Sequence, residues 1–317
     1  MSITIGRLGY AGFALETTPG EANTTPDVYL PYTDISMRGH HEPIEDIASK
    51  TSRLMDKDSV SGKQWSEGDL AINCDVHNSG YLWKAAMGNE QLTTGTPNYH
   101  TFYVTASGNT PKTATIIQGR DTDVQQYTYV ATNELNLEIS DGLATLTASM
   151  MGKFPTVVSA QTATTTSGTV FAFPDMSVKF GSTLSAASSA SATAINDFSL
   201  TIANELEMIH RSGSADVSAI RTKGCRVSGS YTVFFDSVTD RDAYYALNKR
   251  AMEITFTGNA NEEMRIRIPE FRLNENEITT GLDDFFVANC NFVAEDKVDA
   301  GARLIDVRLG NDKSDVY

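Results

Sequence analysis

Three stretches of this sequence alternate apolar and polar residues at a period of two. Leu135, Leu137 and Ile139 alternate with Glu134, Asn136 and Glu138. Phe198, Leu200 and Ile202 alternate with Ser199, Thr201 and Ala203, and the pattern runs on with Leu206 and Met208 against Glu205 and Glu207. Leu70, Ile72, Cys74 and Val76 oppose Asp69, Ala71, Asn73 and Asp75. Successive side chains of a strand point to opposite faces, so each stretch reads as a half-buried strand with one apolar and one largely acidic face. Only "SGYLWKAAMG" (79–88) and "SVTDRDAYYALNKRAM" (237–252) read as helices, the second with a Ser or Thr cap and Asp in its first turn. The expected fold is mainly β.

The chain has 317 residues. Single cores commonly span about 100–200 residues, so two domains are expected. Residues 157–195 are rich in Ser, Ala, Thr and Gly and read as a connecting segment between a first domain at 1–156 and a second at 196–317. The two halves run through their elements in one order, as a duplication would. "YTDISM", a polar loop at 38–59, Val60-Ser61-Gly62, strand 69–76, a helix near 81–87, strand 100–104 and two further strands stand against "FSLTIANELEMI", a polar loop at 210–224, Val227-Ser228-Gly229, strand 230–235, a helix near 240–248, strand 252–257 and two more. The first half carries extra residues around 89–99.

Twenty-five basic against 40 acidic residues give a net charge of −15, which argues against a static nucleic-acid binder but not against a surface that DNA slides past. Cys74, Cys225 and Cys290 are too few for a disulfide framework. The N-terminus has no basic stretch leading into an apolar core, and no run of about 18 apolar residues follows, so neither a signal peptide nor a membrane span is expected. His40 and His41 with Glu42 and Glu45 lack metal-ligand spacing and read as a solvated loop. Cys225 lacks a partnering His, the glycine-rich runs lack a phosphate-loop ending, and the carboxylate pairs lack an apolar pocket to separate their pKa values. No enzyme, cofactor or metal is expected.

"GYAGFALETTPGE", "LPYTDISM", "SGKQWSEGDLAINCDVHNSGYLWKAAMG", "HTFYV" and "YVATNELNLEISDGLATLTASMMGKFP" resemble the first half of the tail tube proteins of long-tailed double-stranded DNA bacteriophages. "FSLTIANELE", "RTKGCRVSGSYTVFF" and "IDVRLGNDKSDVY" resemble the second half. The resemblance implies two tandem β-sandwich or barrel domains, each with one flanking helix, whose strands join neighbouring subunits into a closed β-barrel lumen. It implies a homo-oligomeric ring, three chains being favoured over six, stacked head to tail in the virion tail after synthesis in the host cytoplasm. Tail terminator, tape measure and baseplate or tail-tip proteins would be its partners, and double-stranded DNA would pass without adhering. Asp69, Asp75, Glu134, Glu138, Glu205 and Glu207 become candidates for lining the lumen. His40, His41, Glu42, Glu45, Arg53, Asp56, Lys57, Arg211, Asp216, Arg221 and Lys223 become candidates for contacts between rings. A two-domain adhesion or binding module and a glycosidase using paired carboxylates are the other classes considered.

Overall fold

A computed structural model describes residues 6–46, 59–105, 111–166, 168–279, 285–295 and 303–317. The first half runs β1 (Tyr10–Leu15), β2 (Val28–Leu30), β3 (Tyr32–Ile35), β4 (Arg38–Glu45), β5 (Ser59–Asn73), α1 (Ser79–Met87), β6 (Asn89–Thr93), β7 (Asn98–Thr105), β8 (Thr113–Arg120), β9 (Asp123–Ile139), β10 (Thr145–Gly152) and β11 (Thr156–Val157). There follow β12 (Met176–Gly181), α2 (Leu184–Ser189), β13 (Asp197–Ala203), β14 (Leu206–Ile209), β15 (Ala219–Thr222), β16 (Arg226–Phe234), α3 (Thr239–Tyr245), β17 (Arg250–Thr257), β18 (Glu263–Thr279), β19 (Val287–Ala294) and β20 (Arg303–Asn311). Every pairing between these strands is antiparallel, and all but β14 and β15 belong to one connected hydrogen-bond network.

Two long strands organise that network. The N-terminal part of β9 pairs with β8, and its C-terminal part lies between β10 and β13. β18 repeats this, pairing first with β17 and then with β19. Each strand shifts register at an Asn, with Asn133 unpaired between Thr132 and Glu134 and Asn274 between Leu273 and Glu275. An extra residue in one strand bends it, which lets one strand serve two layers. The inner layer runs β3, β5, β10, β9, β13, β16, β19, β18. Its apolar residues, such as Leu70, Leu137, Leu200 and Phe292, join outer-layer residues such as Phe13, Ile116, Ile254 and Ile266 in a single buried core.

The pairing registers relate the halves residue by residue. β1 pairs with β8 as β12 pairs with β17, and β3 with β5 as β13 with β16. Asp34-Ile35-Ser36-Met37 therefore matches Asp197-Phe198-Ser199-Leu200, and Gly68 matches Gly229. Ser36 Oγ accepts the Asp69 N–H at 2.8 Å, and Ser199 Oγ accepts the Ser230 N–H at 3.2 Å. A Cβ on Gly68 would meet Ser36 O at 2.6 Å, and one on Gly229 would meet Ser199 O at 2.2 Å, so both positions need glycine. Val60-Ser61-Gly62 is thus not the counterpart of Val227-Ser228-Gly229. Nor does strand 100–104 match 252–257, because β8 occupies that place and the whole β6–β7 hairpin is the insertion.

The second helix is shorter than the sequence implies, since Leu247 adopts φ 52° and the chain re-enters a strand at Arg250, burying Met252, Ile254 and Phe256. The Ser/Ala/Thr-rich segment is not a free spacer. β11 pairs with β9, Val170 and Ala172 bridge to Asp75 and Leu143, β12 pairs with β17, and α2 packs on β12.

α1 is buried along its length and ends at Gly88, whose φ of 78° lets its N–H close the last turn on Lys84 O. Glu90 on β6 fastens this helix down. Its enclosed carboxylate receives Lys84 Nζ at 2.7 Å, His100 Nδ1 at 2.8 Å and the Tyr317 N–H. Burial alone would raise the Glu90 pKa, but the hydrogen bonds and charges of His100 and Lys84 hold it below the ordinary value. Breaking a buried ion pair from one side costs about 3–5 kcal/mol. Glu90→Gln is expected to lower urea-measured stability by that order at pH 7. A carboxylate with a lowered folded-state pKa stabilises above its unfolded pKa of about 4.3 and loses that contribution in acid, so the gap between mutant and wild type should narrow as the pH falls below about 4.

Candidate functional site

The polar face of the inner layer is built by register. Asp69, Ser149 and Glu134 stand in one row across β5, β10 and β9, and Asn73, Thr145, Glu138, Ser199, Ser230, Asn291 and Glu275 form another across seven strands. Asp197, Thr232, Asn289 and Glu277 make a third. Short polar side chains hold the acids in place. Ser149 Oγ donates to Asp69 at 2.5 Å, Asn136 Nδ2 to Glu138 at 2.6 Å, Thr232 Oγ1 to Asp197 at 2.9 Å and Asn291 Nδ2 to Glu275 at 2.6 Å. Among the described residues none of Asp69, Glu134, Glu138, Asp197, Glu275 and Glu277 is in an ion pair. Arg226, opposite Ala203, is a cation in the first of these rows, and Arg38, opposite Glu67, lies in the next row beyond it. The reverse of these strands is core: Leu135, Leu137, Ile139, Leu146, Leu200 and Tyr231 are at most 3% exposed.

Three of the six acids expected on one face, Asp69, Glu134 and Glu138, are brought together. Asp75 is not among them. β5 ends at Asn73, and Asp75 turns inward, 2% exposed, to accept the N–H groups of His77 and Asn78 ahead of α1. Glu205 and Glu207 also leave the face, because the expected continuous strand breaks where Glu205 takes φ 45°. Glu207 then sits in the separate β14–β15 hairpin, opposite Arg221 and in an ion pair with Lys223 at 2.9 Å. Asp197, Glu275 and Glu277 were missed. Their signal is the repetition of Asp-x-Ser at 34–36 and 197–199 and of Asn-Glu at 133–134 and 274–275.

The two expected loops are hairpins. His40, His41, Glu42 and Glu45 lie on β4 rather than in a solvated loop; His40, His41 and Glu45 pair with Trp65, Gln64 and Ser59 of β5, and the register shifts at Glu42. Arg53, Asp56 and Lys57 lie outside the described residues. Arg211 and Asp216 are at the β14–β15 tip, which folds back onto the first hairpin. Ala215 O accepts the Gln64 N–H, Asp216 accepts the Phe154 N–H, and His210 meets the edge of Trp65, which stacks on His40. Among the described residues no group of three His, Cys, Asp or Glu side chains could hold a metal, and no helix is long and apolar enough to cross a membrane. Burial pushes the Cys225 thiol up to about 11, away from a reactive thiolate.

The inner layer is thus a two-faced sheet, core on one side and polar with carboxylates on the other. A family model described as phage tail tube protein matches residues 6–294. The chain belongs to the phage tail tube family. Comparison with curated proteins finds no match. The family is one of structural components of the bacteriophage virion, and the β-rich fold of this tail tube protein agrees with it.

Asn204 joins the two halves of the tail tube protein at the break before Glu205. Its buried amide donates to Ala86 O at 3.0 Å and Thr132 O at 2.9 Å, and its N–H reaches Asn133 O. Asn204→Ala leaves two buried carbonyls short of a donor, at about 1–3 kcal/mol. Urea unfolding should show a loss of that size, and amide exchange should quicken at the end of α1 and at β14.

Proposed function

We propose that this protein polymerises as stacked rings into a tail tube whose bore is the acidic face of the inner layer and which conducts the genome during ejection. The observation that carries this reading is the acidic face itself: carboxylates without ion pairs among the described residues, on the polar side of a sheet whose other side is core. Negative side chains there repel DNA phosphates, so the duplex slides rather than adheres. Among the described residues the chain's own strands do not close into a barrel. Closure by neighbouring copies would remove the open edges, which otherwise template unwanted pairing.

The repeat of the strand order in each half favours three chains per ring, each supplying two tandem tail-tube-like domains, the second beginning at β12 rather than at 196. Eight inner strands per chain then give a barrel of about 24 strands, and at about 4.8 Å between strands tilted by up to about 40° its backbone diameter is roughly 37–48 Å, wide enough for a duplex. Rings would stack through the β4–β5 and β14–β15 hairpins, with Arg211 and Arg221 presented outward and Asp216 tied internally. Such a head-to-tail contact does not close and therefore yields a filament. Terminator, tape measure and tail-tip proteins would set its length and ends.

The test replaces Asp69, Glu134 and Glu138 together by Lys. Tubes should still be seen by negative-stain electron microscopy, while DNA delivery in a complementation assay falls at least tenfold. The purified tubes should also retain duplex DNA at low salt and release it at high salt. Unchanged delivery by variant tubes that also fail to retain DNA would remove the face from the bore.

A further inference from the structure

We infer that the ring is closed by one specific seam, in which the C-terminal part of β18 pairs with the Ser36–His40 edge of a second copy, placing Glu277 opposite Arg38 and Glu275 opposite His40. This rests on the tube reading and adds the partner surface and its register. The template lies inside the chain. β9 pairs with β13 through Glu134 with Ala203, Asn136 with Thr201, Leu137 with Leu200 and Glu138 with Ser199. The registers of the two halves match Glu134, Asn136, Leu137 and Glu138 to Glu275, Glu277, Ile278 and Thr279, and match Ala203, Thr201, Leu200 and Ser199 to His40, Arg38, Met37 and Ser36. Carrying the inner pairing across the repeat sets Met37 opposite Ile278 and Ser36 opposite Thr279.

Three observations support this seam. Both edges are open among the described residues: β17 follows β18 only as far as Phe271 and no strand takes that edge at 275–279, while β3 and the start of β4 pair with β5 alone. Ile278 is 37% exposed where its counterpart Leu137 is wholly buried between two strands, so docking would cover an apolar side chain the chain leaves bare. Across the internal seam the facing residues are Thr201 and Asn136, with Thr201 Oγ1 donating to Asn136 Oδ1 at 3.2 Å, whereas the external positions hold exposed Arg38 and exposed Glu277. Opposite charges that meet across an interface fix register and suppress wrong pairings. One acceptor on the edge is already engaged: Met37 O receives Tyr127 Oη at 2.9 Å and Arg120 at 3.1 Å. The Arg120 side chain, 44% exposed, is the group that yields to the Ile278 N–H.

In the internal seam Asn204 N–H donates to Asn133 O, which puts the hydrogen-bonded pairs at Leu200–Leu137 and Ile202–Leu135. Thr201 and Asn136 form the closer, non-hydrogen-bonded pair, and Arg38 with Glu277 inherits its geometry, at a Cα separation of about 4.5 Å that a disulfide spans. The experiment assembles full-length Cys225→Ala chains carrying Arg38→Cys and Glu277→Cys, oxidises the tubes and runs them on a non-reducing gel. Covalent trimers should dominate, with hexamers instead if the ring holds six chains. Arg38→Cys with Ile278→Cys, one residue out of register, should leave monomers.

Tubes that form with no link at 38–277, or that link at 38–278, overturn the seam and leave the conduit standing. Wild-type chains that never form tubes, even when seeded by tail tips, overturn the conduit and the seam with it. Should the cysteine variant fail to assemble, a charge exchange decides. Glu277→Arg alone is expected to reduce tube mass at least tenfold, and Arg38→Glu with Glu277→Arg to recover it. A double variant no better than the single one overturns the seam.

Discussion

The open edge of a β-sheet is the constraint on which this structure depends. Every second residue of an edge strand presents backbone N–H and C=O groups that must find partners, and an edge left flat and apolar pairs with whatever it meets. Inside the chain the demand is met twice across the halves. β13 takes the edge of β9 in the inner layer, and β20 in the outer layer lies between β18 and β7. The bulges at Asn133 and Asn274 make this possible, because each lets one strand leave its outer partner and present a fresh edge to the inner layer.

Under the proposed conduit, the same sheet gives part of the protein's negative charge a use. Carboxylates on a face made mostly of small and neutral polar residues, with Arg226 and Arg38 at its side, repel one another, and nothing in the core requires them. Their hydrogen bonds come from neutral donors such as Ser149, Asn136 and Asn291, which fix the side chains without cancelling the charge. An ion-paired face would be stickier toward phosphate, because each Lys or Arg is a counter-charge for it. The cost is self-repulsion on assembly, which salt relieves.

Strand character was legible wherever one face is core and the other polar, as at 134–139, because period-two alternation survives any neighbour. Asp75, Glu205 and Glu207 show where alternation misleads. A local event ends the strand in each case, an inward turn ahead of α1 or a positive φ beside the buried amide of Asn204, and neither leaves a mark on the apolar pattern. Glu275 and Glu277 were hidden for the opposite reason. Both faces of β18 beyond the bulge are exposed in one chain, so the stretch 274–279 has lost the alternation that its counterpart at 133–138 retains. The repeat itself was legible in element order but not in register. Gly68 matches Gly229 because of where Ser36 and Ser199 place a carbonyl oxygen, a contact no short phrase comparison contains.

The halves are alike in pairing and unlike in cover, and the difference has a direction. α1 is closed over by the β6–β7 hairpin, the Tyr317 ring against Gly80 and the amide of Asn204 at its last turn. α3 buries only Ala243, and Tyr245 and Leu247 beyond it are 73% and 65% exposed. By the correspondence that matches Asn204 to the residue after His40, the end of α3 faces the position where a second copy's β4 would arrive. Exposed apolar side chains gathered beside an open strand edge belong to a surface that is completed by association. A duplicated chain whose two seams were chemically identical could pair in either phase. With Thr201 and Asn136 facing each other within the chain and Arg38 and Glu277 held for the partner, the internal seam forms in the folded monomer by proximity alone, and the charged one selects its mate.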